Sequence, residues 1–455
     1  MMQTREELRR ELQRKTDKLI EEILDWHEAN EIPSMNDIEK EILKIRKALG
    51  EEVAELLIRE QATTRPEKAP DCPHCTQKMV YKGQKRRAMD SLLGYVELER
   101  AYYYCSTCKT GHFPLDHQLG LWDKHWSPEL SKQLVWLSGV SPSFEKAAEI
   151  GERIGQLSVS DSSIWRQVEK WGEQLAAVEK AEQERGTSDI TREERQQMKQ
   201  PTAAGMGVAM DGAAIYIRDE GWKELKVGTT FDIELSPTKN RESGAWETKA
   251  HAINNQYVAH LGEPEGIGKM TWAMARKRGW YNTVKKEVLG DGAAWIWKQA
   301  VYRFADSRHI LDWYHGAEHL GTAARLLYPR NETQRNAWYE QQKNALFSGK
   351  AKQVAEDLIV AATKKPWSMV DTILTEALYF DNNEERMQYQ KMQSDGYLIG
   401  SGVVESGCKQ YKARFCGTGM RWSRDGAERL MPIRSAVMSN SFDSAWKSAY
   451  HSPPN

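Results

Sequence analysis

The sequence predicts a multidomain α+β protein, and three observations support this prediction. Apolar side chains recur at helical spacing through residues 1–62 and again through residues 127–180. Two close pairs of cysteines lie between those helical segments. From residue 205 the pattern changes to short apolar runs that are typical of strands. With 455 residues, the chain is long enough for about three domains of roughly 150 residues each.

The composition limits the cellular setting of the protein without identifying its partners. The 64 Lys and Arg residues balance 65 Asp and Glu residues, which gives a net charge of −1. Nucleic acid is not excluded as a partner, because local basic patches decide such binding rather than the total charge. No stretch approaches the roughly 18 apolar residues of a membrane span, and the start lacks the apolar core of a signal peptide. We therefore expect a soluble cytoplasmic protein.

Residues 1–62 predict a helical arm made of two charged helices. The segment 30–34 interrupts the helical pattern, and Pro33 within it cannot occupy a helix interior. A second apolar stripe runs from Ile38 to Leu56 at a 4-3-4-4-3 spacing, which suits a helix pair or a short coiled coil. The arm holds 11 basic and 16 acidic side chains, so its local charge is −5. It could serve self-association, and packing against the next domain is an equally supported alternative.

The cysteine pairs predict a structural zinc site in a zinc ribbon at residues 71–115. Two thiolates of each Cys-x2-Cys turn can face one ion, and two such turns complete a tetrahedral shell. Segments 78–85 and 95–104, between the pairs, have the composition of strands. His74 and His112 could substitute as ligands, although four cysteines already suffice. The predicted Zn²⁺ ligands are Cys72, Cys75, Cys105 and Cys108.

The charge of the cysteine module favours contact with DNA over a purely structural role. Between residues 72 and 112 there are seven Lys or Arg residues against three acidic ones. The cations of this module that we expect to contact DNA are Lys85, Arg86 and Arg87.

Residues 127–180 predict a helix-turn-helix domain. Ser127 and Pro128 have the N-cap and N1 character of a helix start. A second helix is expected over residues 143–154, and the polar segment 159–163 caps a third helix that could enter a major groove. Many helical domains share a three-helix pattern, so this prediction depends on its neighbours. The expected reading face consists of Ser162, Ser163, Arg166 and Gln167.

Residues 203–327 predict an α/β core with acidic residues at strand ends. Strands are expected over 205–210, 214–218 and 223–233, and then at 287–290 and 307–311 with helices between them. Three strands followed by helix, strand, helix and strand is the order of a ribonuclease H-like core. We expect an all-helical insertion over 328–396 and a final core helix over 397–440. The strands that carry acids end at Asp211, Asp291 and Asp312.

These acids have the chemistry of a phosphodiester-processing site. Two Mg²⁺ or Mn²⁺ ions about 4 Å apart can activate a nucleophile and stabilise a leaving oxygen when three carboxylates converge on them. We select Asp211, Asp291 and Glu405, of which Glu405 lies in a loop of small residues at 400–406. Asp312 competes with Asp291 for the second position, and Asp232 and Glu234 also lie near a strand end.

A basic segment follows Glu405. Residues 406–434 contain seven Lys or Arg residues and two acidic ones, which suits a surface that follows phosphates. Cys408 and Cys416 within it are predicted to be packed thiols rather than catalytic ones. The expected DNA contacts here are Lys409, Lys412, Arg414, Arg421 and Trp422.

Asp211, Asp291, the later Asp312-x2-His315 and Glu405 together resemble bacterial insertion-sequence DDE transposases related to the Mutator and hAT elements. The resemblance covers roughly residues 72–440 and is weakest in the helical insertion. It implies a ribonuclease H-like fold, three metal-binding carboxylates, a Cys-or-Asp-x2-His signature and a helical insertion before the glutamate. On that resemblance Asp312 and His315 take the signature role and support the site.

The resemblance also implies a function. Such a protein would bind the terminal inverted repeats of its own element as double-stranded DNA, cleave strands with two Mg²⁺ or Mn²⁺ ions and join them to target DNA. A homodimer or larger oligomer, associated with the nucleoid, is expected. Two alternatives remain: a transposase-derived DNA-binding protein without activity, and a ribonuclease H-like metal nuclease that cuts without joining.

Overall fold

A computed structural model describes residues 3–61, 64, 66, 68–188, 192–197, 203–239 and 244–450 of the chain. The class is mixed α+β with several domains, as the sequence predicted, with 57% helix and 21% strand. The chain divides into two compact units. The first contains residues up to 137 together with 144–167, and the second contains 138–143 together with 168–450.

The first unit begins with the two predicted helices, α1 (Arg5–Ala29) and α2 (Met35–Arg59). Each starts at a capping box, in which Thr4 and Ser34 accept from the backbone of the third helical residue. Helix α2 packs on the cysteine module that follows it. In this contact, Glu51 Oε1 accepts a 2.7 Å hydrogen bond from the Tyr95 backbone nitrogen. Packing of the arm against its neighbour, one of the two alternatives, is therefore observed.

The cysteine module forms an antiparallel sheet of three strands in the order β1–β2–β3. Its two long strands extend beyond the predicted segments, because ladder pairing continues from Val80 opposite Tyr104 to Ser91 opposite Gly94. A short helix, α3, follows the sheet. The bounds are β1 (Val80–Ser91), β2 (Gly94–Cys105), β3 (Thr110–His112) and α3 (Pro114–Gln118).

Three helices follow at the positions predicted for residues 127–180. Ser127 Oγ accepts a 3.2 Å hydrogen bond from the Leu130 nitrogen and so caps the first of them, as predicted. A small core buries Trp126, Leu134 and Ile164 between these helices. Their bounds are α4 (Pro128–Val140), α5 (Phe144–Gly155) and α6 (Asp161–Thr187), and α7 (Arg192–Gln197) comes next.

A five-stranded sheet organises the second unit, in the order β6–β5–β4–β7–β8. The first three strands are antiparallel neighbours, whereas β7 and β8 run parallel to β4. The predicted strands 205–210 and 214–218 are one continuous strand, and the sequence prediction missed β6. The bounds are β4 (Gly205–Ile217), β5 (Gly221–Lys239), β6 (Trp246–His260), β7 (Lys285–Gly290) and β8 (Arg308–Leu311).

Helices connect and cover this sheet. Three of them, α8 (Pro264–Lys277), α9 (Ala294–Arg303) and α10 (Trp313–Leu327), follow β6, β7 and β8 in turn. Within the described ranges, none of the helices combines the length and the apolar character required to cross a lipid bilayer.

The segment predicted as an insertion is helical, and its core is continuous with that of the sheet. Val208 and Met210 of β4 belong to the same buried cluster as Leu346 and Phe380 of the insertion. The insertion contains α11 (Glu332–Phe347), α12 (Ala351–Ala362), α13 (Trp367–Asn382) and α14 (Tyr389–Ser394). The chain then forms α15 (Gly402–Phe415), α16 (Arg424–Met438) and α17 (Phe442–Tyr450).

Candidate active site and metal centres

Asp211 lies inside β4 rather than at its end, which corrects the predicted strand boundary. The parallel pairing of β4 with β7 nevertheless stops at Ala209 opposite Leu289, two residues before Asp211. Beyond that point β4 continues beside β5, where Asp211 pairs with Val227. The Asp211 carboxylate therefore stands at the edge of the sheet where β7 and β8 end.

Asp291 follows β7 directly and is half-buried. Its Oδ1 accepts a 2.9 Å hydrogen bond from the Ala293 nitrogen, which leads the chain into α9. The next residue, Gly292, has a φ of +108°, and a Cβ there would lie 2.9 Å from the Tyr379 ring. Glycine is therefore required at this turn both by its backbone conformation and by the close approach of α13.

Asp312 follows β8 and is fully buried. Its Oδ1 accepts a 2.8 Å hydrogen bond from the His315 nitrogen, so it caps α10. Its Oδ2 accepts another hydrogen bond from the Ser401 nitrogen. Asp312 thus joins the end of β8 to the loop that begins α15, and each of its oxygens accepts one backbone hydrogen bond.

Glu405 lies in the first turn of α15, close to the predicted signature residues. Ligand atoms of Asp312, His315 and Glu405 all lie within 4.8 Å of one another. Ser401 Oγ is 3.5 Å from Glu405 Oε1, and Lys409 Nζ is 3.8 Å from Glu405 Oε2. Residues that are widely separated along the chain are therefore brought together at one edge of the sheet.

The electrostatics of Asp211 link it to this group. Burial raises the pKa of the Asp211 carboxyl, and the nearby Asp291 carboxylate raises it further. Hydrogen bonds from the Gly212 backbone and the Cys408 thiol act in the opposite direction, and so does the charge of His315. A divalent cation bound by both carboxylates would offset the part of this pKa shift that comes from Asp291.

The donor set fits a hard divalent cation. Mg²⁺ prefers carboxylate oxygens, and Asp211, Asp291 and Glu405 supply them from β4, the end of β7 and α15. Asp291 keeps Oδ2 without a hydrogen bond to any described residue, whereas both Asp312 oxygens accept backbone hydrogens. Asp312, however, is the aspartate whose ligand atoms lie within 4.8 Å of those of His315 and Glu405, so both aspartates stay candidates for the second ligand position.

The sequence prediction missed three contacts of this site. Cys408 is buried, as expected of a packed thiol, but it also touches Asp211, and burial together with that carboxylate raises the pKa of its thiol. The Tyr379 hydroxyl donates a 3.1 Å hydrogen bond to the Asp291 carbonyl oxygen. His319 stacks on the Tyr379 ring at 3.6 Å, and its Nδ1 lies 2.7 Å from Glu376 Oε2. The i, i+4 spacing of His315 and His319 on α10 was the available signal.

The alternative carboxylates on β5 do not join the site group. Asp232 forms an ion pair with Arg278 at 2.7 Å, and both side chains are largely buried. Glu234 is exposed. Asp232 is thus held by a cation of the α8 end, and neither residue competes with Asp211.

The four cysteines of the first unit converge, as the spacing predicted. Their sulfur atoms lie within 4.8 Å of one another, and Cys75 Sγ is 3.6 Å from Cys105 Sγ. Each pair is followed by a residue in the left-handed region, Thr76 with φ 59° and Lys109 with φ 55°, so the two turns have similar backbones. Such a tetrad of thiols has the donor number and type that Zn²⁺ prefers. His74 and His112 do not belong to this group.

Most residues that were predicted to contact DNA are exposed, and they lie on both units. Lys85 and Arg86 are on β1 with solvent-facing side chains, whereas Ser163, at the start of α6, is only half-exposed. The other exposed residues of the predicted set are Ser162, Arg166, Lys409, Lys412 and Arg421.

Three other residues of the predicted set, Arg87, Gln167 and Arg414, have buried structural contacts instead, which corrects their assignment. Arg87 is paired with Asp116 at 3.0 Å, and its side chain is 9% exposed. Gln167 is buried and donates to Asp123. Arg414 is 1% exposed and donates to the Ser138 and Pro142 carbonyl oxygens. Trp422 is half-buried, and its indole nitrogen donates to the Phe415 carbonyl oxygen at 3.0 Å.

Similarity to a protein family covers part of the chain. Residues 28–198 are similar to a family described as Uncharacterised protein family (UPF0236). The matched segment includes the four cysteines and α4 to α6, and it ends before β4. No curated protein matches the chain. The acidic site lies outside the matched segment, so its chemistry is inferred from its own residues.

Proposed function

We propose that the protein is a DDE transposase of the bacterial insertion-sequence type. The observation that carries this proposal is a cluster of acidic groups at one edge of the sheet: ligand atoms of Asp312, His315 and Glu405 lie within 4.8 Å of one another, and the charges of Asp291 and His315 act on the Asp211 carboxyl. Three carboxylates at one place are what metal-dependent phosphoryl transfer requires of a protein.

The topology supports the proposal. Three antiparallel strands are followed by two strands that run parallel to the first, with a helix after each of the last three. We interpret this as a ribonuclease H-like core, interrupted by α11 to α14 and completed by α15. The interruption falls between Asp291 and Glu405, as the transposase resemblance implies.

Within this site each side chain has a distinct task. Asp211, Asp291 and Glu405 would hold two Mg²⁺ or Mn²⁺ ions, which supply charge neutralisation at the attacking and leaving oxygens. Asp312 fixes the relative positions of β8 and α15 through its two backbone hydrogen bonds. His315 stands beside Glu405, where it can donate a hydrogen bond to a phosphate oxygen.

The first unit would supply DNA recognition. The cysteine tetrad is a site for one structural Zn²⁺, and we interpret the β1–β3 sheet as a zinc ribbon that presents Lys85 and Arg86. We interpret α4 to α6 as a helix-turn-helix domain, in which Ser162 and Arg166 at the exposed start of α6 would face a groove. Its partners would be the double-stranded ends of the element and the target DNA.

Self-association is part of the proposal, because joining two element ends requires two sites. An apolar stripe on the N-terminal helices supports it: Ile20, Leu24, Ile38 and Ile42 are all at least 36% exposed. Sedimentation or light scattering of the intact protein would report a dimer or larger assembly, and Ile42→Lys would weaken it.

The test is a strand-transfer assay with the purified full chain. The substrate is a plasmid that carries the DNA flanking the coding sequence, incubated with Mg²⁺ or Mn²⁺ and a second plasmid as target. We expect nicked and joined products from the unaltered protein and at least a thousandfold loss in Asp211→Asn. Asp219→Asn is the matched control, because Asp219 is an exposed acid in the turn after the same strand.

Each other outcome of this assay would support a different function for the protein. Cleaved but never joined strands would support a metal nuclease on the same fold. Specific binding without cleavage, unchanged in Asp211→Asn, would support a DNA-binding protein without activity. Joined products from Asp211→Asn would refute the assignment of the site.

A further inference from the structure

A second site lies on the same sheet, away from the acidic group. Where β7 no longer covers β4, the loop after α15 runs beside the exposed strand edge, and Ile217 forms a bridge with Trp422. A cavity of about 410 Å³ opens there. Its lining includes three aromatic residues, Tyr216, Trp222 and Phe415, together with Gly417, Met420 and Arg421.

The cavity exposes aromatic surface that the fold does not need. Trp222 is 68% exposed and meets the Tyr216 ring edge-on at 5.7 Å. Phe415, by contrast, is buried and forms the floor. An indole face left in solvent at the mouth of a cavity is unfavourable for folding alone and is suited to stacking on a flat ligand.

The walls are fixed by backbone contacts rather than by the ligand. The Arg218 nitrogen donates to the Trp422 carbonyl oxygen at 2.8 Å, and the Met420 nitrogen donates to the Gly417 carbonyl oxygen at 3.0 Å. Gly419 has a φ of +78°, which allows the tight turn of this loop. The cavity is therefore formed before any ligand arrives.

In the part of the chain that the structure describes, three cations near the cavity have no acidic partner, against one unpaired acid, Asp219, in the adjacent turn. Arg218, Lys412 and Arg421 are exposed, and none of them has an acidic partner within 4.0 Å among the described residues. The neighbouring Glu220 is held by Arg424 at 2.6 Å. An anionic chain that carries flat rings matches this combination of free cations and exposed aromatic faces.

We propose that this cavity binds one unstacked nucleobase of a DNA strand, with Trp222 stacking on the base and Arg421 contacting the adjacent phosphate. The volume is within the range of roughly 300–1,000 Å³ that small-ligand sites have. The inference rests on the proposed function and adds a binding subsite to it. Tyr216 lies five residues beyond Asp211 on β4, which at about 3.3 Å per residue is about 17 Å from the acidic site.

The experiment measures binding of the intact protein to defined oligonucleotides. The probes are a fully paired duplex and the same duplex with one unpaired 2-aminopurine, whose emission falls when it stacks on an aromatic ring. We expect tighter binding and quenched emission with the unpaired base. Trp222→Ala should weaken that binding roughly tenfold and restore the emission, whereas Trp222→Phe should keep most of both.

Trp246→Ala is the matched control. Trp246 is 72% exposed on β6 of the same sheet but does not line the cavity, so this variant should bind like the unaltered protein. Equal loss in Trp246→Ala and Trp222→Ala would overturn the proposal, and so would unquenched emission in the unaltered protein.

Different outcomes would contradict the proposed subsite and the proposed function. If Trp222→Ala still binds the unpaired base normally and the protein still joins strands, the subsite is wrong and the transposase assignment stands. If the unaltered protein binds neither probe and cleaves no DNA, both are wrong.

Discussion

The hydroxyl of Tyr379 donates a 3.1 Å hydrogen bond to the backbone carbonyl oxygen of Asp291 and so ties the helical insertion to the end of β7. The His319 imidazole stacks on the Tyr379 ring, and its Nδ1 lies within hydrogen-bond distance of the Glu376 carboxylate. The carboxylate of Asp291 therefore depends for its position on α10 and α13 as well as on its own strand. The insertion is part of the site rather than a separate appendage to it.

Tyr379→Phe keeps the ring and its stacking on His319 but removes the hydrogen bond to Asp291. The bond is worth about 1 kcal/mol, so we expect a three- to tenfold slower strand cleavage with little change in the unfolding temperature. Tyr339→Phe, on α11 of the same insertion, is the control and should cleave at the normal rate. Equal rates in all three proteins would show that the contact does not position Asp291.

Asp291 and Asp312 should respond differently to the same substitution. Asp291→Asn can keep the bond from the Ala293 nitrogen, so we expect normal stability but no stabilisation by Mn²⁺ in thermal unfolding. Asp312→Asn places an amide group against the Ser401 nitrogen and should cost about 1–3 kcal/mol of stability while retaining the Mn²⁺ response. The reverse pattern would make Asp312 the metal ligand.

The sequence predicted the elements well where a local signal sets them. The capped helix start at Ser127, the cysteine turns and the helical insertion all follow from short-range patterns. It misplaced the end of β4, because Asp211-Gly212 reads as a turn, whereas pairing with β5 carries the strand through it. That pairing is a long-range contact with no local signal.

The candidate site residues were selected by residue type, and their contacts were not predicted. Asp211 and Asp291 were selected as strand-end acids, and Glu405 was selected from a loop of small residues that opens a helix. The contact of Cys408 with Asp211, and that of Tyr379 with Asp291, depend on how α15 and α13 pack on the sheet. For the same reason Arg87 and Arg414 were assigned to DNA by charge alone, although tertiary packing buries both.

Removing one cysteine of the tetrad should unfold the cysteine module. Metal binding in such small modules supplies about 10 kcal/mol of folding free energy, so Cys108→Ser should lose zinc and expose β2 to hydrogen exchange. Cys416→Ser is the control, because Cys416 is an exposed thiol of the second unit and outside the tetrad. Metal analysis should give one zinc per chain for the control. A full zinc content in Cys108→Ser would refute the tetrad.

Substitutions of the two adjacent arginines of β1 should have different effects, one on stability and the other on DNA binding. Arg87→Ala removes one of the two arginines that pair with the buried Asp116, with Arg100 as its remaining partner, and should cost about 1.5–3 kcal/mol. Arg86 is exposed, and its ion pair with Glu99 is worth under about 1 kcal/mol. Arg86→Ala should instead weaken DNA binding and reduce its salt dependence by about one counterion. DNA affinity that is insensitive to Arg86→Ala would remove the ribbon from the DNA interface.

Glu287 should make the stability of the second unit depend on pH. It is fully buried in β7, and burial raises the pKa of its carboxyl well above the ordinary value of 4.5, although the Leu398 backbone nitrogen and Lys285 act against this. The folded state therefore keeps a proton that the unfolded chain releases, so stability falls as the pH rises from 4.5 toward the raised pKa. Within that window each pH unit costs about 1.4 kcal/mol.

Glu287→Gln should remove this dependence, because a neutral amide can still accept the 3.1 Å hydrogen bond from the Leu398 nitrogen. We expect its unfolding free energy to exceed that of the unaltered protein at pH 8 and to converge with it near pH 4, where both side chains are neutral. Urea unfolding across this pH range measures the difference, and Glu234→Gln, at an exposed position of β5, should leave the profile unchanged. Parallel profiles for Glu287→Gln and the unaltered protein would mean that Glu287 titrates alike in the folded and unfolded chains.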